Sequence, residues 1–593
     1  MTRSNPKVRL VGRRGLGATA ALLALSMLSV RCNGVTLGQG SEEDGGDGGA
    51  DLSTPTKMIG LRIVPDNDVL LVDLNKQGTK SYKVVLALSD GSKMDVTSEA
   101  TLALDNAAIG SISGGNFQSA TLTANKVDFT HIKATYKDQS TEANLTVVWL
   151  RMSGPSQDFF YNLPYQGADQ TQPLTFQTFI QSIDSFFAVD TTGSMGGEIG
   201  NLNTSLSNTI IPAVKKAAAK DAWFGIGAVE DFPVAPFGVS GYYPGNLDDQ
   251  PFILLSAMNS SVTIAQTAVG KLMNGTKPRG NGNDVPEGQM EALYQIATGE
   301  GNVHSGVVNI AQHQTPGTAG GVEFRTGAFP VITMITDAAF HAKGENRSCG
   351  TSTINYSGSV DTYSHTRAET VAALNKICAK VIGLSAEPSG YPTECLGTTD
   401  LTGFAKSTGA MVPPEAWGDA MHRPSGCGVG QCCTGLNGAG TNPDGSGLCP
   451  LVFKIKTDGT GLGEQVISGI TNLALYAPFD VVTNTSGGTT GEGGIMVASG
   501  HTTADFIRSV TPLDATPSPA PTNKTPTKTP TGFTGVVPGA VVRFTIDAKN
   551  DFQQPSTVPQ VFHATIKILA GGCTDLDSRD VIILVPPSAP VVG

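Results

Sequence analysis

Between residues 175 and 476, short apolar runs alternate with stretches of helical periodicity, and this alternation limits the fold more than any other feature. The runs Ile183–Val189, Trp223–Val229, Val331–Ile335, Val381–Leu384 and Leu451–Ile455 are short and predominantly apolar, as expected of strands covered on both faces. After the first run, Ile199, Leu202, Leu206, Ile210 and Val214 recur at spacings of three and four, the mark of a helix with one apolar stripe. Further helices are expected at Pro286–Ala297, Ala368–Ile377, Leu401–Ser407 and Gly463–Leu475. Strand and helix in alternation predict a doubly wound α/β domain with a parallel sheet. In such sheets ligands bind beyond the carboxyl ends of the strands. The polar turn that follows Val189 is therefore the place to look for chemistry.

The flanks read differently. A chain of 593 residues exceeds what one core supports, so several domains are expected. Residues 57–150 alternate with period two over Ile59–Val64, Val69–Val72, Tyr82–Leu88, Phe129–Tyr136 and Ala143–Leu150, with turns such as Ser89-Asp90-Gly91-Ser92 between them. This predicts a small β-sandwich. A second sandwich is expected over 477–593, from Val541–Ile546, Phe562–Leu569 and Val581–Val585. A Thr/Pro-rich run at 515–531 interrupts it and should stay extended. Residues 33–56 are acidic and glycine-rich and are expected to form a flexible tether. The net charge of -12 and the lack of a basic stripe exclude nucleic acid as a partner.

Residues 1–32 have the layout of a secretory signal, with Arg3, Lys7, Arg9, Arg13 and Arg14 ahead of the apolar run Leu16–Val30. Leu28-Ser29-Val30-Arg31-Cys32 resembles a lipobox, although Arg31 stands where that motif has a small residue. The resemblance implies a lipid anchor through Cys32; without it the chain is expected to be secreted. No later segment is long and apolar enough to span a bilayer. Apart from Cys32 the cysteines are Cys349, Cys378, Cys395, Cys427, Cys432, Cys433, Cys449 and Cys573. An even set in an exported chain reads as disulfides, with on the order of a hundred pairings open. The alternative is zinc at Cys427, Cys432, Cys433 and Cys449, but adjacent Cys432 and Cys433 lack the gap of a zinc knuckle.

At the end of the first buried run stands Asp190-Thr191-Thr192-Gly193-Ser194. One carboxylate and two hydroxyls at alternate positions on a strand-to-helix turn can bring oxygen ligands onto one hard cation. Mg2+ suits such a set, with Mn2+ or Ca2+ as alternatives, because it needs only one or two carboxylates and keeps open positions. The sequence D-T-T-G-S resembles the D-x-[ST]-x-S motif of the metal-dependent adhesion site in von Willebrand factor type A domains. Asn283-Asp284-Val285-Pro286-Glu287-Gly288 resembles the second loop of that site, in the D-x-P-E-G form of integrin β subunits, and Val331–His341 resembles its fourth-strand segment. The resemblance implies that Asp190, Thr192, Ser194 and Asp337 are metal ligands, with Asp284 or Glu287 in the middle place. Integrin β subunits carry two more acids after the first motif; here Gly197 replaces one and Glu198 stands near the other, which argues against an adjacent regulatory metal. Residues 57–150 resemble the bacterial immunoglobulin-like domains of surface proteins, whose usual role is a stalk.

Other motifs fail. Gly459-x-Gly461-x-Gly463 looks like a dinucleotide loop but follows the last strand and lacks a ribose-binding acid. There is no H-E-x-x-H and no G-x-S-x-G. Asp231 is expected behind the site, His341 as a packed or rim residue, and the stretch Cys427–Cys449 as a stapled surface loop. The expected function is non-enzymatic: an extracytoplasmic or cell-surface binding protein that captures an acidic group on a protein or matrix partner through its metal. The alternatives are an assembly module of a bacterial envelope complex and, least favoured, a metal-dependent hydrolase.

Overall fold

The computed structural model describes residues 56–154, 156–217, 221–241, 247–388 and 390–588. The expected signal segment, Cys32 and all but the last residue of the expected tether lie outside them.

Six strands form the central sheet: β1 (Ser182–Asp190), β2 (Asp221–Val229), β3 (Ile253–Asn259), β4 (Phe329–Thr336), β5 (Lys380–Ala386) and β6 (Val452–Ile455). Their order is β3-β2-β1-β4-β5-β6, and all neighbours run parallel except β3, which is antiparallel to β2. β1 and β4 are buried along almost their whole length, which is why their sequences lack a polar face. Each fully buried Phe, Ile, Leu or Val here contributes about 1.5–3 kcal/mol. The one acid inside β1, Asp184, is met by the backbone N of Arg325 at 2.7 Å and by its Nε at 2.8 Å, so the buried charge is compensated.

Helices pack in two groups. One holds α1 (Gly196–Ser205), which continues through a π-turn into Ile211–Ala217, together with α2 (Val262–Gly270) and α6 (Leu462–Tyr476). The other holds α3 (Gln289–Thr298), α4 (Arg367–Lys376) and α5 (Thr398–Thr408). A capping box between Thr366 and Glu369 starts α4, and left-handed Gly299 and Gly409 end α3 and α5. Strand β3 and helix α2 have no counterpart in the sequence expectation. From β1 the chain crosses toward β2, and from β4 it crosses toward β5, so the gap between the carboxyl ends of β1 and β4 is the topological switch point.

Residues 58–150 form a β module whose sheets share one core, including Ile63, Val84, Phe117, Ile132, Leu145 and Trp149. The second β module draws on both sides of the central domain. Its six-stranded sheet contains Phe159–Asn162 parallel to Thr574–Val585, and its three-stranded sheet contains Gln170–Gln177 antiparallel to Val541–Ala548. The sequence expectation starts this module at residue 477; its sheets also take in two strands that precede β1. The central domain is thus an insertion between strands of one β module. Thr527–Lys528, within the Thr/Pro-rich run, pairs at the edge of the larger sheet.

Among the described residues four disulfides join Cys349 to Cys395, Cys378 to Cys573, Cys427 to Cys433 and Cys432 to Cys449. The last two use every thiol of the alternative zinc cluster, so that alternative is set aside. Disulfides of this number fit an oxidising compartment. Among the described residues no helix is long and apolar enough to cross a membrane.

Candidate metal centre

Asp190 is the last residue of β1 and is fully buried. Its Oδ1 accepts from the backbone N of Thr192 at 2.9 Å and from Thr192 Oγ1 at 2.7 Å, which closes the turn that aims the motif. Its Oδ2 accepts from Thr336 Oγ1 at 2.7 Å and from Gln289 Nε2 at 3.3 Å. Thr336 is the last residue of β4 and Gln289 the first of α3, so three elements fix this one carboxylate. Burial pushes its pKa up to about 6, with the charge of Asp337 adding to the rise and the hydroxyls of Thr192 and Thr336 opposing it.

Asp337 follows β4 directly, is 9% exposed, and accepts a hydrogen bond from the Ser194 hydroxyl. Burial raises its pKa as well. Two buried acids, one of which raises the proton affinity of the other, face the switch point short of positive charge.

Glu287 supplies a third. Its backbone N donates to Ala339 O at 3.0 Å, and His341 N donates to Glu287 O at 2.8 Å, so the loop is laced to the segment after β4. The side chain is 4% exposed, and Oε2 has no hydrogen-bond partner. Burial holds its pKa well above the usual range, and the charge of Asp190 adds more to the rise than any other neighbouring acid. Gly282 makes room for this carboxylate: a Cβ at that position, where φ is +66°, would stand 2.2 Å from Glu287 Oε1. Asp284 turns elsewhere, with Oδ1 3.3 Å from His341 Nε2.

Thr192, Ser194, Asp284, Glu287 and Asp337 line one cleft of about 400 Å³, and no lysine, arginine or histidine lines it among the described residues. Asp190 sits behind Thr192, hydrogen-bonded to it. All six residues singled out from the sequence therefore gather at the switch point. Glu198, in the first turn of α1, is 1% exposed and also has an unpartnered Oε2. Burial pushes it up to about 8, with Asp337, Asp190 and Asp458 adding to the rise.

The donor set fits a hard divalent cation. It offers carboxylate and hydroxyl oxygens, includes an orphaned buried carboxylate oxygen, and has no basic side chain to neutralise it. Sequence reasoning did not identify Thr336 and Gln289, the two donors to Asp190 Oδ2. Thr336 was visible as the residue before Asp337, but only the sheet register shows that it faces Asp190.

Behind the cleft, Asp231 is fully buried and accepts from Tyr356 Oη at 2.7 Å. Burial pushes it up to about 7, with His341 and Tyr356 opposing the rise and Asp284 adding to it. His341, also fully buried, stands between Asp231 and Asp284.

No protein-family model matches the chain, and no curated protein does. Among solved structures, similarity extends to a von Willebrand factor type A protein from Catenulispora acidiphila, at 12% identity and a TM-score of 0.26, over 73% of this chain and 72% of that one. The pilus adhesin SpaC from Lactobacillus rhamnosus GG, in its open conformation, is similar at 10% identity and a TM-score of 0.27, over 89% of this chain and 49% of that one. Domains 5-6 of the S-layer protein SbsC align over 22% of this chain at a TM-score of 0.12. Likenesses at this distance decide neither fold nor function.

Proposed function

We propose that the central domain is a von Willebrand factor type A module whose cleft binds Mg2+, or Mn2+ or Ca2+ in its place, and that the chain is a non-enzymatic binding protein of the cell surface. The observation that carries this reading is the buried, unpartnered Oε2 of Glu287 beside the Asp190–Asp337 pair, in a cleft without a cationic side chain. Asp190, Thr192, Ser194, Glu287 and Asp337 would hold the ion. Asp284, turned toward His341, is the weaker candidate for the middle place. A bound Mg2+ supplies a hard Lewis-acidic position that an outside carboxylate can complete.

The chain's own part is orientation. Thr336, Gln289 and the Thr192 turn fix Asp190, and Gly282 leaves the space that Glu287 needs. The protein or matrix partner is recognised by its carboxylate. The β module at 58–150 serves as an immunoglobulin-like stalk, and the disulfides support an extracytoplasmic location, by secretion or by a lipid anchor at Cys32.

Calorimetric titration of Mg2+ into the chelator-treated full chain tests the reading, beside Asp190→Ala and the near-isosteric Glu287→Gln. One equivalent bound by the wild type, and lost or weakened at least about tenfold in Glu287→Gln, is expected. A folded wild type that binds none of the three ions would overturn it.

A further inference from the structure

Strand β3 is an edge of the central sheet and pairs on one side only, with β2. Such an edge presents backbone donors and acceptors that have no strand partner. The segment between α3 and β4 fastens both ends of this edge and leaves its middle open. Gln250 Oε1 accepts from the backbone N of Asn309 at 2.8 Å, and Met258 N donates to Val322 O at 2.9 Å. Between these two fastenings lies a slot of about 550 Å³. Residues 252–257 form one wall and residues 309–313 another. Along β3 itself, residues 253–257 are half-buried.

The slot combines an apolar lining with one strong cation. Leu254, Leu255 and Ile310 stand in its walls, and Arg279 lines it beside them. On a chain of net charge -12, no aspartate or glutamate lines the slot among the described residues. Arg279 Nε is buried and has no hydrogen-bond partner. Glu230 faces it, with Oε1 3.4 Å away, but that oxygen already accepts from Thr191 Oγ1 at 3.1 Å. The other oxygen, Oε2, accepts from the backbone N of Gln250 at 2.9 Å. Burial pushes Glu230 up to about 8, so at neutral pH it holds a proton and leaves the guanidinium charge unmatched.

We propose that this slot docks an extended peptide segment of a partner protein, which adds to β3 as a further strand and brings a carboxylate to Arg279. Hydrogen bonds to the open edge supply affinity, and the side chains that alternate along the added strand supply selectivity. Five residues of β3 at about 3.4 Å each offer roughly 17 Å of edge, enough for a strand of ordinary length. Apolar side chains of the segment meet Leu254, Leu255 and Ile310, and its acid takes up the donor that Glu230 leaves free. The slot shares no residue with the cleft assigned to Mg2+, so either assignment can fail while the other stands.

The test uses the full chain and a labelled synthetic peptide of alternating valine and threonine with glutamate at both ends. One control is the same peptide N-methylated at alternate amides, and another has lysine for each glutamate. Saturable binding is expected by fluorescence anisotropy, with new protection from amide hydrogen exchange confined to residues 253–257 and 309–313. Each control peptide should bind at least about tenfold more weakly, since one lacks the strand donors and the other the charge-assisted bond. Arg279→Gln should weaken the glutamate peptide by a similar factor and leave Mg2+ affinity unchanged. Should Arg279→Gln fail to fold, Ala311→Asp, which sets an acid on an exposed position of the wall, should do the same. No saturable binding by about 1 mM overturns the proposal. So does equal binding of the N-methylated peptide, which would make the slot an apolar groove and not a strand site. Protection of residues 253–257 without peptide, lost on dilution, would give the edge to a second copy of the chain and overturn it as well.

Discussion

Thr336 Oγ1 lies 2.7 Å from Asp190 Oδ2, so the terminal residues of two neighbouring parallel strands are joined side chain to side chain. The same hydroxyl accepts from Gln289 Nε2 at 2.8 Å and from the backbone N of Ala338 at 3.1 Å. One threonine therefore sets both the rotamer of Asp190 and the turn that carries Asp337. Thr336→Val keeps the shape and removes these bonds. It should cost about 1.5–3 kcal/mol in denaturant-measured stability, the range for a hydrogen bond to a charged group. Mg2+ affinity should fall about 10–100-fold. Unchanged affinity in the folded variant would show that Asp190 is held without Thr336.

Gly282 is a sharper probe of Glu287. Alanine there meets two penalties: a left-handed φ of +66° and a Cβ 2.2 Å from Glu287 Oε1. The backbone penalty is about 1–2 kcal/mol. The steric one is relieved only if the carboxylate moves. Gly282→Ala should therefore weaken Mg2+ binding more than its loss of stability implies, by at least about tenfold. Equal binding of Mg2+ by variant and wild type would mean that Glu287 is not a ligand.

Much of the central domain was legible because its strands are buried on both faces. The apolar runs fall inside β1, β2, β4 and β5, and the last covers β6. β3 escaped because it is an edge strand of intermediate burial, ILLSAMN, antiparallel to its one neighbour and outside the run of parallel strands. The strands Phe159–Asn162 and Gln170–Gln177 escaped for a different reason. Their partners lie some 400 residues away, and no local period records a pairing across an inserted domain. At the cleft, residue types and spacing brought out Asp190, Thr192, Ser194 and Asp337. The choice between Asp284 and Glu287 depends on which way a loop turns its side chains, and that is set by Gly282 and His341, not by the loop's own sequence.

The Cys378–Cys573 bridge ties the end of α4 to the distant β module across 195 residues. On the chain-entropy model a loop of this length is worth up to about 5 kcal/mol, less where the other disulfides already restrict the unfolded chain. Cys378 lies just before β5, at the amino end of the sheet, opposite the cleft. The double variant Cys378→Ser, Cys573→Ser should therefore lower the melting temperature and leave Mg2+ affinity within about twofold. A large loss of affinity would instead couple the β module to the cleft.

The buried acids give the metal-free chain a pH dependence of definite sign. Burial pushes Glu198 and Glu230 up to about 8, and burial with the charge of Asp337 pushes Asp190 up to about 6. In the unfolded chain such groups titrate near about 4. Each binds its proton more tightly when folded, so its stabilising contribution is complete below about pH 4 and is lost as pH rises through about 6 for Asp190 and about 8 for the two glutamates. In chelator, the melting temperature should fall between about pH 5 and about pH 8.5. Mg2+ should restore more of it at the upper end, where protons no longer offset the charge of Asp190 and its neighbours. Glu230 bonds Thr191 and the backbone of Gln250 but lies outside the proposed ligand set, so it serves as the control. Glu230→Gln should flatten the metal-free slope between about pH 5 and about pH 8 without touching the Mg2+ effect. A melting temperature that is level or rising across this range in chelator would mean that the acids are already neutralised in the fold by something other than protons.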